Sequence, residues 1–203
     1  MPINTTSSIT ELSAVGVISS YLGIPAPVDI NDLLIDPDWI RSLAILKSVT
    51  KEALHKGLEE NTDEDYTLLK EPDGTVLIPA GTLRWIVKHD THEQYVQRDG
   101  MVYDKKAHTF TIDKDLVVDI VWNMTFDSLP EMIKNYITIK AAYRVVSRLK
   151  GSDSVLNSIQ QDLDDANYEY LRYQGRNNKM SLLDNPDVNY IASRHMQYNH
   201  HLR

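Results

Sequence analysis

The stretch from Ser128 to Gly175 constrains the architecture more than any other part of the chain. Apolar residues recur at Met132, Tyr136, Ile139, Tyr143 and Val146, and a second row runs beside them at Ile133, Ile137, Ala141, Val145 and Leu149. A surface helix carries a single stripe, so two adjacent rows at three-and-four spacing predict a helix buried over much of its circumference. Ser128 with Glu131 three residues on, and Pro130 in the first turn, predicts a capping box at its start. Gly151 can end that helix in the left-handed conformation, and Ser152 or Asp153 can cap a second one. The second helix repeats the period at Leu156, Ile159, Leu163, Ala166, Tyr170 and Tyr173, with Gly175 closing it. The combined apolar width of these helices exceeds what one copy is expected to hide.

Upstream, Ser8 and Glu11 form a second capping-box pair ahead of Leu12, Val15, Ile18 and Leu22, and Gly23, Pro25 and Pro27 stop that helix. Residues 24 to 35 read as a connection. Asp36 and Pro37 start another helix in cap-then-proline order, with Trp39, Leu43, Leu46, Thr50, Ala53 and Leu54 on one side and an end near Gly57. From Asp63 the pattern turns to alternation and holds to about Met124. Strand candidates are Tyr66 to Leu69, Thr75 to Ile78, Leu83 to Lys88, Thr109 to Ile112 and Leu116 to Met124. Pro72-Asp73-Gly74 and Pro79-Ala80-Gly81 punctuate them with turn chemistry. The sharpest local signal is Asp99-Gly100 between Gln94 to Arg98 and Met101 to Tyr103, which predicts a hairpin.

The expected fold class is therefore α+β: a four-helix bundle with an inserted antiparallel β region and an extended C-terminal tail. The boundaries read as 1–62 for the N-terminal helices, 63–127 for the β region, 128–175 for the long helical hairpin and 176–203 for the tail.

An apolar share of 42% suffices for a core, and the absence of cysteine leaves packing or partners to hold it. A formal charge of −8 without clustered Lys and Arg argues against a nucleic-acid binder. No apolar run approaches the roughly 20 residues of a membrane span, and the polar start Met1 to Thr6 reads as neither a signal nor a transit peptide. Eleven Tyr and three Trp against two Phe suit surfaces that are wet in one state and covered in another. Tyr136, Tyr143, Tyr170 and Tyr173 are thus candidate intersubunit residues. The tail has no hydrophobic stripe, yet it holds Tyr190, Ile191, Met196, Tyr198 and Leu202, candidate contacts that would order against another chain.

Chemistry-bearing clusters are few. Glu59, Glu60, Asp63, Glu64 and Asp65 contain enough carboxylates for a glycan hydrolase, which needs one protonated and one ionised; a solvated charge run has the same composition. His89, Asp90, His92 and Glu93 are metal-ligand types without a metal-site spacing, and His200 and His201 stand at the terminus. No phosphate loop, dinucleotide fingerprint or nucleophile elbow occurs, so no catalytic, cofactor or metal residue is assigned. Lys134, Lys140, Arg144, Arg148 and Lys150 make the first long helix basic, facing either the acidic helix after it or an acidic partner.

Three stretches together resemble a known family: Leu12-Ser13-Ala14-Val15 through Leu22-Gly23-Ile24-Pro25; Tyr95-Val96-Gln97-Arg98-Asp99-Gly100-Met101-Val102-Tyr103-Asp104; and Leu129-Pro130-Glu131 through to Tyr170. The chain resembles the tail tubular protein A family of short-tailed bacteriophages, the head-to-tail adaptor between portal and tail nozzle. The resemblance implies a non-enzymatic structural virion protein, assembled in the host cytoplasm into a dodecameric ring with a channel for the genome. It also implies portal protein, nozzle protein (tail tubular protein B) and tail fibres as partners, and DNA passing without sequence-specific binding. One departure is that Gly57 is followed by Leu58, where that family tends to place Gly-Trp.

Overall fold

The computed structural model describes residues 8–88, 94–149 and 153–177. Among them the protein is α+β, with four α-helices and two small antiparallel sheets. The helices are α1 (Glu11–Leu22), α2 (Pro37–His55), α3 (Glu131–Arg148) and α4 (Asp153–Asn177). The strands, all between α2 and α3, are β1 (Thr62–Leu68), β2 (Thr82–Val87), β3 (Tyr95–Arg98), β4 (Met101–Asp104) and β5 (Leu116–Trp122).

The two-row helix predicted from the sequence is α3, and it packs against α1, α2 and α4. Ile133, Ile137, Ala141 and Val145 are buried from one row, Tyr136, Ile139 and Val146 from the other, and only the ends, Met132 and Leu149, are exposed. The chain covers both rows by itself, which corrects the expectation that neighbouring copies are needed to hide them. The main cluster joins α1, α2 and α3 through Val15, Ile18, Leu46, Val49, Ile133 and Ile137. A smaller one seats α4 on α3 through Ile139, Val146, Ile159 and Ala166. Two buried hydroxyls on these helices are satisfied locally, Thr50 donating to the Leu46 carbonyl at 2.9 Å and Thr138 to that of Lys134 at 2.8 Å, whereas Ser19 Oγ on α1, equally buried, has no partner among the described residues.

The helix starts differ from the expected caps in an instructive way. α1 begins with a box between Thr10 and Ser13, in which Thr10 Oγ1 accepts from the Ser13 amide and Ser13 Oγ from the Thr10 amide. The Ser8–Glu11 box does not form. Pro130 precedes α3 without a side-chain cap, and Ser128 instead closes a single 3-10 turn with Thr125. Glu131 is used at long range. Its carboxylate accepts from Ser8 Oγ at 2.5 Å, from the Ile9 amide at 3.0 Å and from Lys134 Nζ at 3.0 Å, fixing the start of the described chain to α3. Asp36 does cap α2, accepting from the Asp38 amide at 2.8 Å, and Gly23 ends α1 as expected. Gly175 does not close its helix, since α4 continues to Asn177. The turn at Gly151 lies outside the described residues.

β5 is the centre of the three-stranded sheet, with β1 and β2 antiparallel on either side. β3 and β4 form the predicted hairpin, and Asp99 and Gly100 both have positive φ (50° and 76°), as a primed two-residue turn requires. Thr75 to Ile78 and Thr109 to Ile112 do not become strands. They make only single bridges, Lys70 to Val76, Leu77 to Met101 and Asp104 to Thr109, because turns on either side leave too few residues to extend a ladder. Their apolar side chains still serve the core, as Val76, Ile78 and Ile112 join Val102, Val118 and Ile120 in the β cluster. Gly74 (φ 87°) sits in one such turn, and a Cβ there would lie 2.8 Å from Thr111 Cγ2.

Asn61 joins the helices to the sheet. It is buried; its Nδ2 donates to the Leu54 carbonyl at the end of α2 and to the Trp122 carbonyl at the end of β5, and its Oδ1 accepts from the Leu58 amide. All three bonds are lost together when the side chain is truncated. Asn61→Ala is expected to cost about 2 kcal/mol or more, since buried backbone groups lose their partners, read by urea denaturation; a change under about 0.5 kcal/mol contradicts that role. Gly74→Ala is expected to lower stability more than Gly81→Ala does. Both sites have positive φ, but only Gly74 meets a neighbouring side chain.

Candidate functional site

The acidic run at 59 to 65 spans the turn before β1 and β1 itself, and its members diverge. Glu60 accepts from the Tyr173 hydroxyl at 2.5 Å, Asp63 from the Trp122 indole at 2.7 Å, and Asp65 pairs with Lys88 at 3.0 Å across Asp119. Asp65 also has φ 56° at the bulge in β1. These acids stitch β1 to its neighbours and do not face one another across a cleft. Among the described residues Glu52, Asp73, Asp104 and Glu131 have carboxyls held below the usual range. Among the described residues, the lining of two grooves, one beside Leu12, Gly16, Val17 and Ala26, the other beside Trp85, Ile86 and Tyr95, includes no carboxylate, while two others include Asp38 and Glu11 singly.

His89, Asp90, His92, Glu93, His200 and His201 lie outside the described residues, as do Tyr190, Ile191, Met196, Tyr198 and Leu202. Among the described residues no group of three potential ligands is placed to hold a metal, and no helix is long and apolar enough to cross a membrane.

Of the four helix tyrosines, Tyr136 and Tyr170 stack on each other inside the chain, ring centroids 4.5 Å apart and planes 7° apart. Lys140 Nζ stands 5.4 Å from the Tyr136 ring centroid. Tyr143 is half-buried against the α3–α4 cluster, and Tyr173 is half-buried with its hydroxyl on Glu60. Two basic residues of α3 turn towards α2. Lys140 and Arg144 both grip Glu52, at 2.8 and 2.6 Å, and these bonds, Lys140's first, hold its carboxyl below the usual range against the cost of burial. For these two the expectation that they face the acids of α4 is corrected, although α4 packs on α3 through apolar residues; of those acids Asp162 turns to α1, accepting from the Tyr21 hydroxyl at 2.6 Å. Burial and that bond push the Tyr21 pKa up to about 12.

Sequence reasoning missed two features. One is the segment between α1 and α2, where Val28, Leu34 and Ile35 are 88%, 72% and 73% exposed while Leu33 anchors the segment in the core. Its signal was apolar residues in a proline-flanked connection with no period to bury them. The other is the buried cation Lys134, 2% exposed, held by Glu131 and Ser8.

Glu60, Asp63 and Asp65 are thus spent on internal bonds, while Val28, Leu34 and Ile35 stand on the outside. A family profile described as Tube, tail tubular protein, matches residues 12–180. No curated protein matches the chain.

The Glu131 latch carries a pH signature. Its bonds, to Ser8 first and then to the Ile9 amide and Lys134, lower its pKa to about 2, so its stabilisation is full above the ordinary carboxylate pKa near 4.5 and is lost as pH falls towards 2. Glu131→Gln is expected to be less stable than the parent at pH 7, with the gap closing between pH 4.5 and pH 2. Urea titrations at each pH would read this, and a gap independent of pH would contradict it.

Proposed function

The chain belongs to the tail tubular protein family of phage tail structural proteins, and from that premise we propose that it is the head-to-tail adaptor of a short-tailed phage. In this reading the four helices act as the bundle, copies close into a dodecameric ring between portal and nozzle protein, and the genome leaves through the channel. The β region faces the nozzle and the tail fibres. The observation that carries the reading is the extent of the family match, which runs from α1 to the end of α4 and takes in every strand. The diverging carboxylates support a role without catalysis, and the charge of −8 supports DNA passing a wall it does not adhere to.

The exposed segment at Val28, Leu34 and Ile35, with the tail residues Tyr190, Ile191, Met196, Tyr198 and Leu202, supplies the contacts to partners; of Tyr136, Tyr143, Tyr170 and Tyr173, the second and fourth keep surface to offer. Mixing the purified chain with portal rings is expected to give a complex of ring-like mass by light scattering and a collar by electron microscopy. Leu34→Asp with Ile35→Asp is expected to weaken that complex while leaving the subunit's stability within about 0.5 kcal/mol, as for exposed sites generally. A chain that stays monomeric both alone and with portal overturns the proposal.

A further inference from the structure

The outward faces of α2 and α4 carry opposite charge, and each is incomplete by itself. On α4 the residues opposite the buried row are Gln161, Asp164, Asp165, Tyr168 and Leu171. Tyr168 is 65% exposed, and between Asp153 and Gly175 five carboxylates stand against one arginine. Asp164 accepts only the Gln160 amide, and Asp165 has no bonded partner among the described residues. On α2 the outward face has small residues, Ala44 and Ser48, at its centre, with Lys47 and Lys51 along one side. Both lysines line a groove with Asn123 to Phe126. Lys51 has no bonded partner among the described residues, and Lys47 reaches Glu11 only at 4.0 Å. The carboxylates of α2 cannot neutralise this face, since Glu52 is taken by α3 and Asp38 by Arg41.

We infer that α4 of one copy docks on α2 of the next, Tyr168 entering at Ala44 and Ser48 while Asp164 and Asp165 meet Lys47 and Lys51. The occupant is a second copy because this chain presents both halves of the match. Two chains each carrying −8 repel unless a positive face of one is set against a negative face of the other. α2 packs on α1 and α3 and α4 on α3, so the two faces belong to different flanks. A contact between different patches is heterologous and propagates from copy to copy until it closes. An aromatic knob beside charges also fits the composition of interface centres. This inference rests on the ring reading above and names the surface that would build it.

The test uses the full chain and two charge-reversed forms, Lys47→Glu with Lys51→Glu, and Asp164→Lys with Asp165→Lys. All four positions are exposed, so circular dichroism should match the parent. Each form alone is expected to associate at least about tenfold more weakly, because like charges then face each other. An equimolar mixture is expected to recover the parent assembly, since every junction again pairs opposite signs. Mass by light scattering reads all three. Assembly persisting in the separate forms, or failing to return on mixing, overturns the α2–α4 docking while leaving the ring reading intact. A parent chain that never exceeds monomer mass, alone or with portal, overturns both.

Discussion

Everything in this fold leans on α3 and its own chain's cover over it. A helix with two apolar rows cannot stand at a surface, and α1, α2 and α4 are arranged so that, of those rows, only Met132 at its start and Leu149 just past its end are exposed. Burying side chains such as Ile133, Ile137 and Val145 contributes about 1.5–3 kcal/mol each before entropy is counted. The polar residues that share α3 follow from that placement. Lys134 is buried because the helix is, and its ammonium is held by Glu131 and Ser8; Lys140 and Arg144 lie nearer the edge and reach Glu52 on α2. Glu131 and Glu52 keep much of their surface in solvent, so these contacts orient the N-terminal segment and α2 more than they strengthen the fold.

How much of this the sequence made legible depends on the range of the interaction. The period of α3 and α4, the Asp36 cap and the Asp99-Gly100 turn are properties of a few adjacent residues, and each was readable. The two Ser-x-x-Glu pairs were readable too, but wrongly. Glu131 has better partners in Ser8, the Ile9 amide and Lys134, more than 120 residues away for the first two, and no local pattern announces them. Asn61 is similar: a lone Asn after two glutamates gives no sign that it will satisfy backbone from α2, the turn and β5 at once. The segments holding Val76 and Ile112 look like strands in sequence because burial, not ladder length, sets their composition.

The same distinction governs function. The excess of tyrosine suggested surfaces waiting for partners, yet Tyr136 and Tyr170 spend their faces on each other. The proposed assembly draws instead on what the covered core leaves outside: the apolar segment from Val28 to Ile35 and the charged outer faces of α2 and α4. A subunit that is complete inside and unsatisfied outside suits a phage tail structural protein of the tail tubular family, because it can fold before it meets its neighbours. Its acids serve as ties between strands and helices, which accounts for a run that looks catalytic in composition alone.

The central claim is that one copy buries α3 and that assembly uses only the remaining surface. Amide hydrogen exchange on the dilute chain and on the assembled form tests it directly. The account predicts that amides from Ile133 to Val146 exchange slowest in both states and at the same rate, with new protection on assembly confined to outer faces. Fast exchange through α3 in the separate chain, slowed only when copies join, would contradict it.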